Sequence, residues 1–281
     1  RVMHLAVAAY ISRQDDSSHT NLLELVKTHL CRIVPTIHYA IAQDNNHGIS
    51  EAAALFIGGT WLVKTGNSVG QRWADMGRCW LENRVLKLVG PQGSFSQSSL
   101  NYHRMMLDTF CIAEVWRQHL GQPKFSKQCY QRLKAAAEWL RLLVEPSTGD
   151  GPNLGANDGA RLLPLTVTGY RDYRPTVQLA SVLFSRCRAY PNGPWDDALH
   201  WLRIPLPKQV APKPETYLAD DGGFADGGFL RVHQRKSSPR TGSGAETKRQ
   251  SGGSFGLCGG DHRNCDGDLC GHRGTHCPME T

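Results

Sequence analysis

Apolar residues recur at helical spacing through the first half of the chain. The pattern predicts successive helices from residue 1 to about residue 145, joined by short connections. Pro35 predicts a break, Gly66 and Gly121 predict helix ends, and Pro146 closes the series. Strand-like alternation is almost absent here. Short joints between helices of similar length indicate antiparallel helical hairpins, so we expect a mainly α fold.

Capping residues predict where two of these helices begin. Ser50 is the predicted N-cap of the helix that follows the letters NNHGI, and Ser98 or Ser99 is that of the helix containing NYHRMMLD. Tyr102 then lies in the first turn of the second helix. Met106, Thr109 and Ala113 follow at steps of three or four residues, so they lie on the same helix face as Tyr102.

The pattern changes twice in the second half of the chain. Residues 147–194 are rich in Gly, Asn and Asp, which predicts mostly connecting segments, with one helix over 176–190. Residues 206–229 indicate a proline-rich linker that leads to a first strand. Residues 230–281 hold few large apolar side chains, so they cannot bury enough surface to offset the entropy of ordering. We therefore predict a disordered tail.

Length and charge narrow the class of protein only slightly. A chain of 281 residues can bury a sizeable core. Its net charge of +7 suits an acidic partner such as a polyanionic glycan or nucleic acid, but an ordinary protein surface is the simpler explanation. The basic tail lacks base-stacking aromatic residues apart from Phe255, so we expect no nucleic-acid partner. No apolar run reaches the roughly 18 residues that a membrane span needs, so we expect none.

The nine cysteines do not suggest a disulfide framework. Five are scattered through helix-like segments, where buried thiols behave as small hydrophobic groups. Four lie in the tail with histidines, but their spacing contains no CxxC pair and argues against a zinc site. The tail letters GGSFG match a nucleophile-elbow pattern without the flanking strand and helix. No phosphate loop, dinucleotide fingerprint or HExxH motif occurs, so we expect no metal and no cofactor.

Three joints between helices carry side chains suited to a carboxylate ligand. Asn46 and His47 precede a predicted helix start, where free N–H groups favour anions. Simple helix capping is the alternative there. Tyr102, with His103 beside it, begins the next candidate helix, and a packed core tyrosine is the alternative. The third joint, GANDGARLLPL, adds Asn157, Asp158 and Arg161.

The segments NNHGISEAA, GSFSQSSLNYHRMMLD and NLGANDGARLLPL together resemble the helical domain of the heparinase II/III-like polysaccharide lyases, which include oligo-alginate lyases. The resemblance covers roughly residues 1–229. It implies an incomplete α/α toroid followed by an antiparallel β-sandwich. It also implies cleavage of a uronate-containing, acidic polysaccharide by β-elimination, in the bacterial periplasm or cell envelope.

The resemblance also implies roles for the residues at these joints. Asn46, with His47, would hold the uronate carboxylate and stabilise the enolate-like charge that forms when the C5 proton leaves. Tyr102 would protonate the departing C4 oxygen, and in some family members that tyrosine also takes the C5 proton. A tyrosine acts as a base near neutral pH only in positive surroundings, which His47 and His103 would supply in part.

Four further residues are expected on the substrate side. Arg161 is a weaker candidate for binding a sugar carboxylate, and Asn157 and Asp158 accompany it in the third joint. Glu51 would either orient His47 or simply lie favourably in the first helical turn.

The chain departs from the family pattern after the helices. Family members usually carry a further catalytic histidine on the β-sandwich, and that domain is largely missing here. We predict a toroid domain over 1–205, a linker and the start of a truncated β-sandwich over 206–229, and a tail over 230–281 that results from a frameshift near Leu230. A natural linker with an unusual metal-binding end is the alternative for the tail.

Two rival functions stay open on the sequence. A uronyl epimerase would use the same proton abstraction without expelling the C4 substituent. A non-catalytic glycan-binding toroid would need only the carboxylate-binding corner.

Overall fold

The computed structural model describes residues 1–212, together with two short strands. The described chain is mainly α-helical, as the apolar pattern predicts. A first unit, Arg1–Pro214, contains all the helices described here. Their bounds are α1 Val2–Ser12, α2 Thr20–Ile33, α3 Ile37–Ala42, α4 Asn46–Lys64, α5 Val69–Leu88, α6 Leu100–His119, α7 Lys127–Leu143, α8 Arg174–Ser185 and α9 Asp197–Trp201, with a 3-10 turn at Pro194–Asp196.

The second unit, Glu215–Thr281, contains the two described strands. Strand β1, Gly223–Phe224, pairs antiparallel with β2, Phe229–Leu230, and Phe224 lies opposite Phe229. The predictions for the tail beyond Leu230, including its cysteine–histidine spacing, its nucleophile-elbow pattern and the frameshift, lie outside the described residues.

Most of the predicted breaks between helices are confirmed. Helix α2 ends before Pro35, α6 ends before Gly121, and α7 ends before Pro146. The helix predicted over 176–190 is observed as α8, which begins two residues earlier and ends at Ser185. In the described chain, no helix is both long enough and apolar enough to span a membrane.

The start of α4 differs from the prediction. The helix begins at Asn46, and its N-cap is Asn45 rather than Ser50. Asn45 is extended, and its side-chain oxygen accepts the backbone N–H of His47 at 2.9 Å. That bond satisfies one of the free N–H groups at the helix start. Asn46 and His47 are therefore the first two residues of the helix, whereas Ser50 lies one turn inside it.

Helix α6 begins as predicted, with Ser99 as its N-cap. The Ser99 hydroxyl accepts the backbone N–H of Tyr102 at 3.2 Å. The residues just before the two caps, Asp44 and Ser98, both have left-handed φ angles, 49° and 47°. Non-glycine residues seldom adopt this conformation. The two helices therefore start with the same backbone turn, a left-handed residue followed by an extended cap.

Helices α4 and α6 form the centre of the helical unit. Both are buried over most of their length, whereas α5 and α7 bury mainly one face. Helix α4 packs on α2, α5 and α6, α6 packs on α7 and α8, and α5 packs on α7. The α4–α5 hairpin is tight because glycines face backbone. A Cβ atom at Gly77 would lie 2.3 Å from the nitrogen of Phe56.

Only some of the five scattered cysteines are buried in helices, although the apolar pattern predicts buried thiols. Cys111 and Cys129 are buried in α6 and α7, where burial raises the pKa of both thiols. Cys31 and Cys79 are exposed instead. The apolar pattern placed these two on helices, but they occupy the outer faces of α2 and α5.

Candidate active site at the N-terminal ends of α4 and α6

The N-terminal ends of α4 and α6 are joined by the side chain of Gln97. The backbone N–H of Asn46 donates to Gln97 Oε1 at 2.8 Å, and Gln97 directly precedes the left-handed Ser98. The two helices therefore begin on the same side of the unit. Partial positive charge accompanies each helix start and favours anions, but several of the first N–H groups are already bound by the caps, by Gln97 and by the α7–α8 connection.

The long connection between α7 and α8 is fixed across the first turn of α6. The backbone N–H of Leu100 donates to the carbonyl of Leu154 at 3.1 Å. The Ser99 hydroxyl donates to the carbonyl of Ala156. These bonds place the next residues of the connection, which include Asp158, beside the first turn of α6.

Asp158 is the residue of this connection that meets Tyr102. The Tyr102 hydroxyl donates to Asp158 Oδ2 at 3.1 Å. Asn101 Nδ2 and the backbone N–H of Ala160 both donate to Asp158 Oδ1 at 3.0 Å. Hydrogen bonds hold the pKa of Asp158 below its ordinary value. The bond from the Ala160 N–H has the largest effect, and those from Tyr102 and Asn101 have smaller ones. The same carboxylate raises the pKa of Tyr102 through its hydrogen bond and its charge, so the phenol keeps its proton.

Arg104 supports this arrangement from within and was not expected from the sequence. It is 1% exposed, and its guanidinium stacks on the rings of Tyr170 and Tyr173 at 4.4 Å and 4.7 Å. It donates to Asn101 Oδ1 at 2.7 Å and to the Tyr170 carbonyl at 2.6 Å. The letters GYRDYRP, with two tyrosines near a helix start, were the available signal, but nothing in them points to a partner so distant in sequence.

Tyr170 also holds the neighbouring predicted residue, Asn157. Its hydroxyl contacts Asn157 Oδ1 and lies 2.9 Å from Asn101 Oδ1. The structure therefore brings Tyr102, Asn157 and Asp158 together through one hydrogen-bond network, which Asn101 links to the buried arginine.

His103 lies in the core rather than beside the Tyr102 hydroxyl. It is 1% exposed, its ring stacks on Trp139 at 4.6 Å, and its Nε2 lies 2.9 Å from the Ala136 carbonyl. Burial lowers the pKa of His103 to about 4, so the ring is neutral near pH 7. The expectation that His103 supplies positive charge or meets a substrate is therefore wrong, because consecutive helical residues point in different directions.

The start of α4 presents His47 to solvent, while Asn46 is mostly buried. Glu51 lies one turn after His47. Burial raises the pKa of Glu51, and the charge of His47 acts in the opposite direction. Glu51 Oε2 is buried, and no hydrogen-bond partner for it occurs among the described residues. Because α4 begins at Asn46, Glu51 belongs to the second turn, so the first-turn explanation for it is wrong.

Arg161 lies deeper than Asn157 and Asp158, the other predicted residues of its joint. It is half-buried, and its guanidinium donates to the Thr168 carbonyl at 3.0 Å. It lines a small cavity between α6 and α8 that has both polar and apolar walls and room for about one water molecule. The cavity is also lined by Arg104, Asp108, Asp172 and Thr176. The structure thus places Arg161 at this cavity beside Arg104, and not in the hydrogen-bond network of Tyr102 and Asp158.

Comparisons with protein families, with curated proteins and with solved structures found no match to this chain. The family resemblance consequently rests on the three quoted segments alone. In the part of the chain that the structure describes, no group of three or more His, Cys, Asp or Glu residues is arranged to hold a metal ion.

Proposed function

We propose that this chain is the helical domain of a polysaccharide lyase that cleaves a uronate-containing, acidic glycan by β-elimination. One observation carries the proposal. A protonated, partly exposed phenol, Tyr102, shares one side of the helical unit with a helix start that carries Asn46 and His47. Such a side offers a proton donor and an anion-binding corner, two of the three requirements of the reaction, the third being a base for the C5 proton.

The packing of the helices supports the toroid architecture within this proposal. In an α/α toroid, inner helices run side by side and outer helices return between them. Helices α4 and α6 are mostly buried and begin on the same side, while α5 and α7 lie against them and contact each other. A β-sandwich after the toroid belongs to the same proposal.

The proposed reaction uses charge first and proton transfer second. Asn46 and His47 hold the uronate carboxylate, which makes the C5 proton more acidic because the enolate-like charge is stabilised where it forms. A base takes the C5 proton, and the electron pair of the C5–H bond forms the C4–C5 double bond as the C4–O bond breaks and its electron pair leaves with the oxygen. Tyr102 gives its proton to the departing C4 oxygen.

The test is the appearance of unsaturated product. The full chain should be incubated with alginate, hyaluronan, heparan sulfate and bacterial capsular polymers, and the ultraviolet absorbance of the new double bond should be followed. The proposal expects absorbance to rise with at least one uronate polymer and not with a neutral glucan. Incorporation of solvent deuterium at C5 without any rise in absorbance would instead indicate the epimerase.

One observation favours a second candidate, the non-catalytic glycan-binding toroid. The Tyr102 hydroxyl already donates to Asp158, so its proton is directed at that carboxylate, whereas the corner at Asn46 and His47 needs no proton donor to bind a uronate. The binding candidate expects an unchanged polymer, with an affinity that Tyr102→Phe leaves intact. Calorimetric titration with size-defined oligosaccharides, run beside the absorbance assay, separates the two candidates.

A further inference from the structure

The carboxylate of Asp158 is held in place before any ligand arrives. Among the described residues, Asn101 and the backbone of Ala160 fix one carboxylate oxygen, which leaves the other oxygen directed at the Tyr102 hydroxyl. The backbone around it is anchored on both sides. Ala156 is bound by the start of α6, and the carbonyl of Ala160 accepts a hydrogen bond from Arg104 at 3.1 Å.

Asp158 is the charged residue that acts most strongly on the Tyr102 hydroxyl. On α6 itself, His103 is neutral and points into the core, and the guanidinium of Arg104 is directed inward between two tyrosine rings. On the connection, the hydroxyl of Tyr170 is bound to amide oxygens. Within the described residues, none of these groups is a cation hydrogen-bonded to the Tyr102 oxygen.

We propose that Asp158 is a positioning residue that keeps Tyr102 protonated, so that Tyr102 serves only as the proton donor of the reaction. This inference rests on the proposed lyase function. As the C4–O bond breaks, its electron pair stays on the departing oxygen, and that oxygen takes the Tyr102 proton. The phenolate left behind regains a proton from water.

The proton from C5 then passes to a base other than Tyr102. A phenol bonded to a carboxylate is a poor proton acceptor, since its ionised form would face a second negative charge. On this side of the unit, the exposed imidazole of His47 in its neutral form has one N–H that can bind the carboxylate and one bare ring nitrogen that can take the C5 proton.

The test is a site-specific titration of Tyr102 in the full chain. Tyrosines carrying ¹³C at the ring Cζ are followed by NMR as the pH is raised, and the Tyr102 signal is assigned by its loss in Tyr102→Phe. In the parent chain, Tyr102 should ionise at higher pH than a free tyrosine peptide. In Asp158→Asn, its midpoint should move to lower pH. The matched control is Asp150→Asn, which removes a carboxylate of the same connection that pairs with Arg171 instead.

Two results overturn the inference. The first is a Tyr102 midpoint that already equals that of a free tyrosine peptide in the parent chain, a measurement that does not depend on any variant folding. The second is an equal shift in Asp158→Asn and Asp150→Asn, which would show a general effect of charge on the loop.

The pH profile of turnover tests the donor role separately. If Tyr102 only donates, activity falls as it ionises, and Asp158→Asn moves this alkaline limb to lower pH by the same amount as the NMR midpoint. A shift of the rising limb instead would make Tyr102 the base and contradict the inference. Absence of turnover with every glycan would count against the lyase proposal, while the titration would still decide the role of Asp158.

Discussion

The two ends of helices α4 and α6 carry polar clusters of opposite character. At their C-terminal ends, Asp15 Oδ2 accepts from Lys64 Nζ at 2.7 Å and lies 2.6 Å from His119 Nε2. The Trp61 indole donates to the Asp15 carbonyl at 3.0 Å, and the Tyr10 ring packs edge-on against His119. These groups satisfy each other, and the Lys64 ammonium lies at a helix end that attracts positive charge.

At the N-terminal ends, the polar groups are directed outward instead. His47 and Asp158 are exposed, and Glu51 keeps a buried oxygen without a described partner. Two left-handed residues, Asp44 and Ser98, shape these starts, and another, Arg13, lies just before Asp15 at the other end. Unsatisfied polar groups are the feature that separates the two ends, since a closed network mainly stabilises. Under the proposed function, this difference places binding at the N-terminal ends and stability at the C-terminal ends.

The largest expected effect is on turnover at the N-terminal ends. Tyr102→Phe removes the proton donor and should lower kcat by about 10²–10⁴-fold, the usual contribution of general acid catalysis. Folding should change little, because only one hydroxyl is lost from a partly exposed ring. Tyr39→Phe is the matched control, since Tyr39 is 73% exposed on α3. Equal turnover in both variants and the parent would remove Tyr102 from the mechanism.

The next effect concerns Asp108, a buried carboxyl group of α6 that lines the same cavity as Arg161. Burial raises the pKa of Asp108 to about 6, against the hydrogen bond from Thr176. A raised carboxyl pKa stabilises the fold fully below the unfolded value of about 3.9, and this contribution is lost as the pH rises through about 6. Relative to Asp108→Asn, the parent should therefore gain about 2 kcal/mol between about pH 8 and pH 4.

Denaturant unfolding at a series of pH values measures this gain for Asp108. Asp75→Asn, at an exposed carboxyl of α5, serves as the control that should follow the parent curve. If the free energy of unfolding of the parent and of Asp108→Asn changed with pH in parallel, the pKa of Asp108 would not be raised in the folded state, and the account of this residue would be wrong.

At the C-terminal ends of α4 and α6, the expected effect is on the free energy of unfolding alone. His119→Gln should cost about 1–2 kcal/mol, because a hydrogen bond to a charged partner is lost, and should leave turnover unchanged. Burial raises the pKa of Asp15, but hydrogen bonds from His119 and Lys64 lower it overall. A depressed carboxyl pKa stabilises above the unfolded value, and this contribution is lost as the pH falls. The parent and the variant should thus converge in acid, which thermal unfolding checks.

The smallest effect separates the cap of α4 from its chemistry. Asn45→Ala removes the acceptor for the His47 N–H and should cost about 1 kcal/mol, whereas Asn45→Gly should cost only a few tenths. Guanidinium unfolding of the two variants measures the difference. Identical stabilities would place the start of α4 elsewhere, such as at the originally predicted Ser50.

Local rules predicted much of the fold and part of the candidate site. Helical periodicity and proline breaks located the helices, and the cap at Ser99 correctly placed Tyr102 in a first turn. His103 failed because adjacency in sequence does not give adjacency on a helix surface. The stacking of Arg104 on Tyr170 depends on a tertiary contact between distant segments, which no local pattern encodes. The cap at Asn45 was missed because Asn and Ser compete nearly equally for that role.

The difference between the two ends can be tested most directly with one imidazole at each end. His47 and His119 give separate side-chain NMR signals, each assigned by a glutamine variant. With rising amounts of a uronate oligosaccharide that the chain binds, the account predicts that the His47 signal moves until saturation while the His119 signal stays fixed. A shift of the His119 signal with a fixed His47 signal would contradict the account, because the ligand would then lie at the C-terminal ends of α4 and α6.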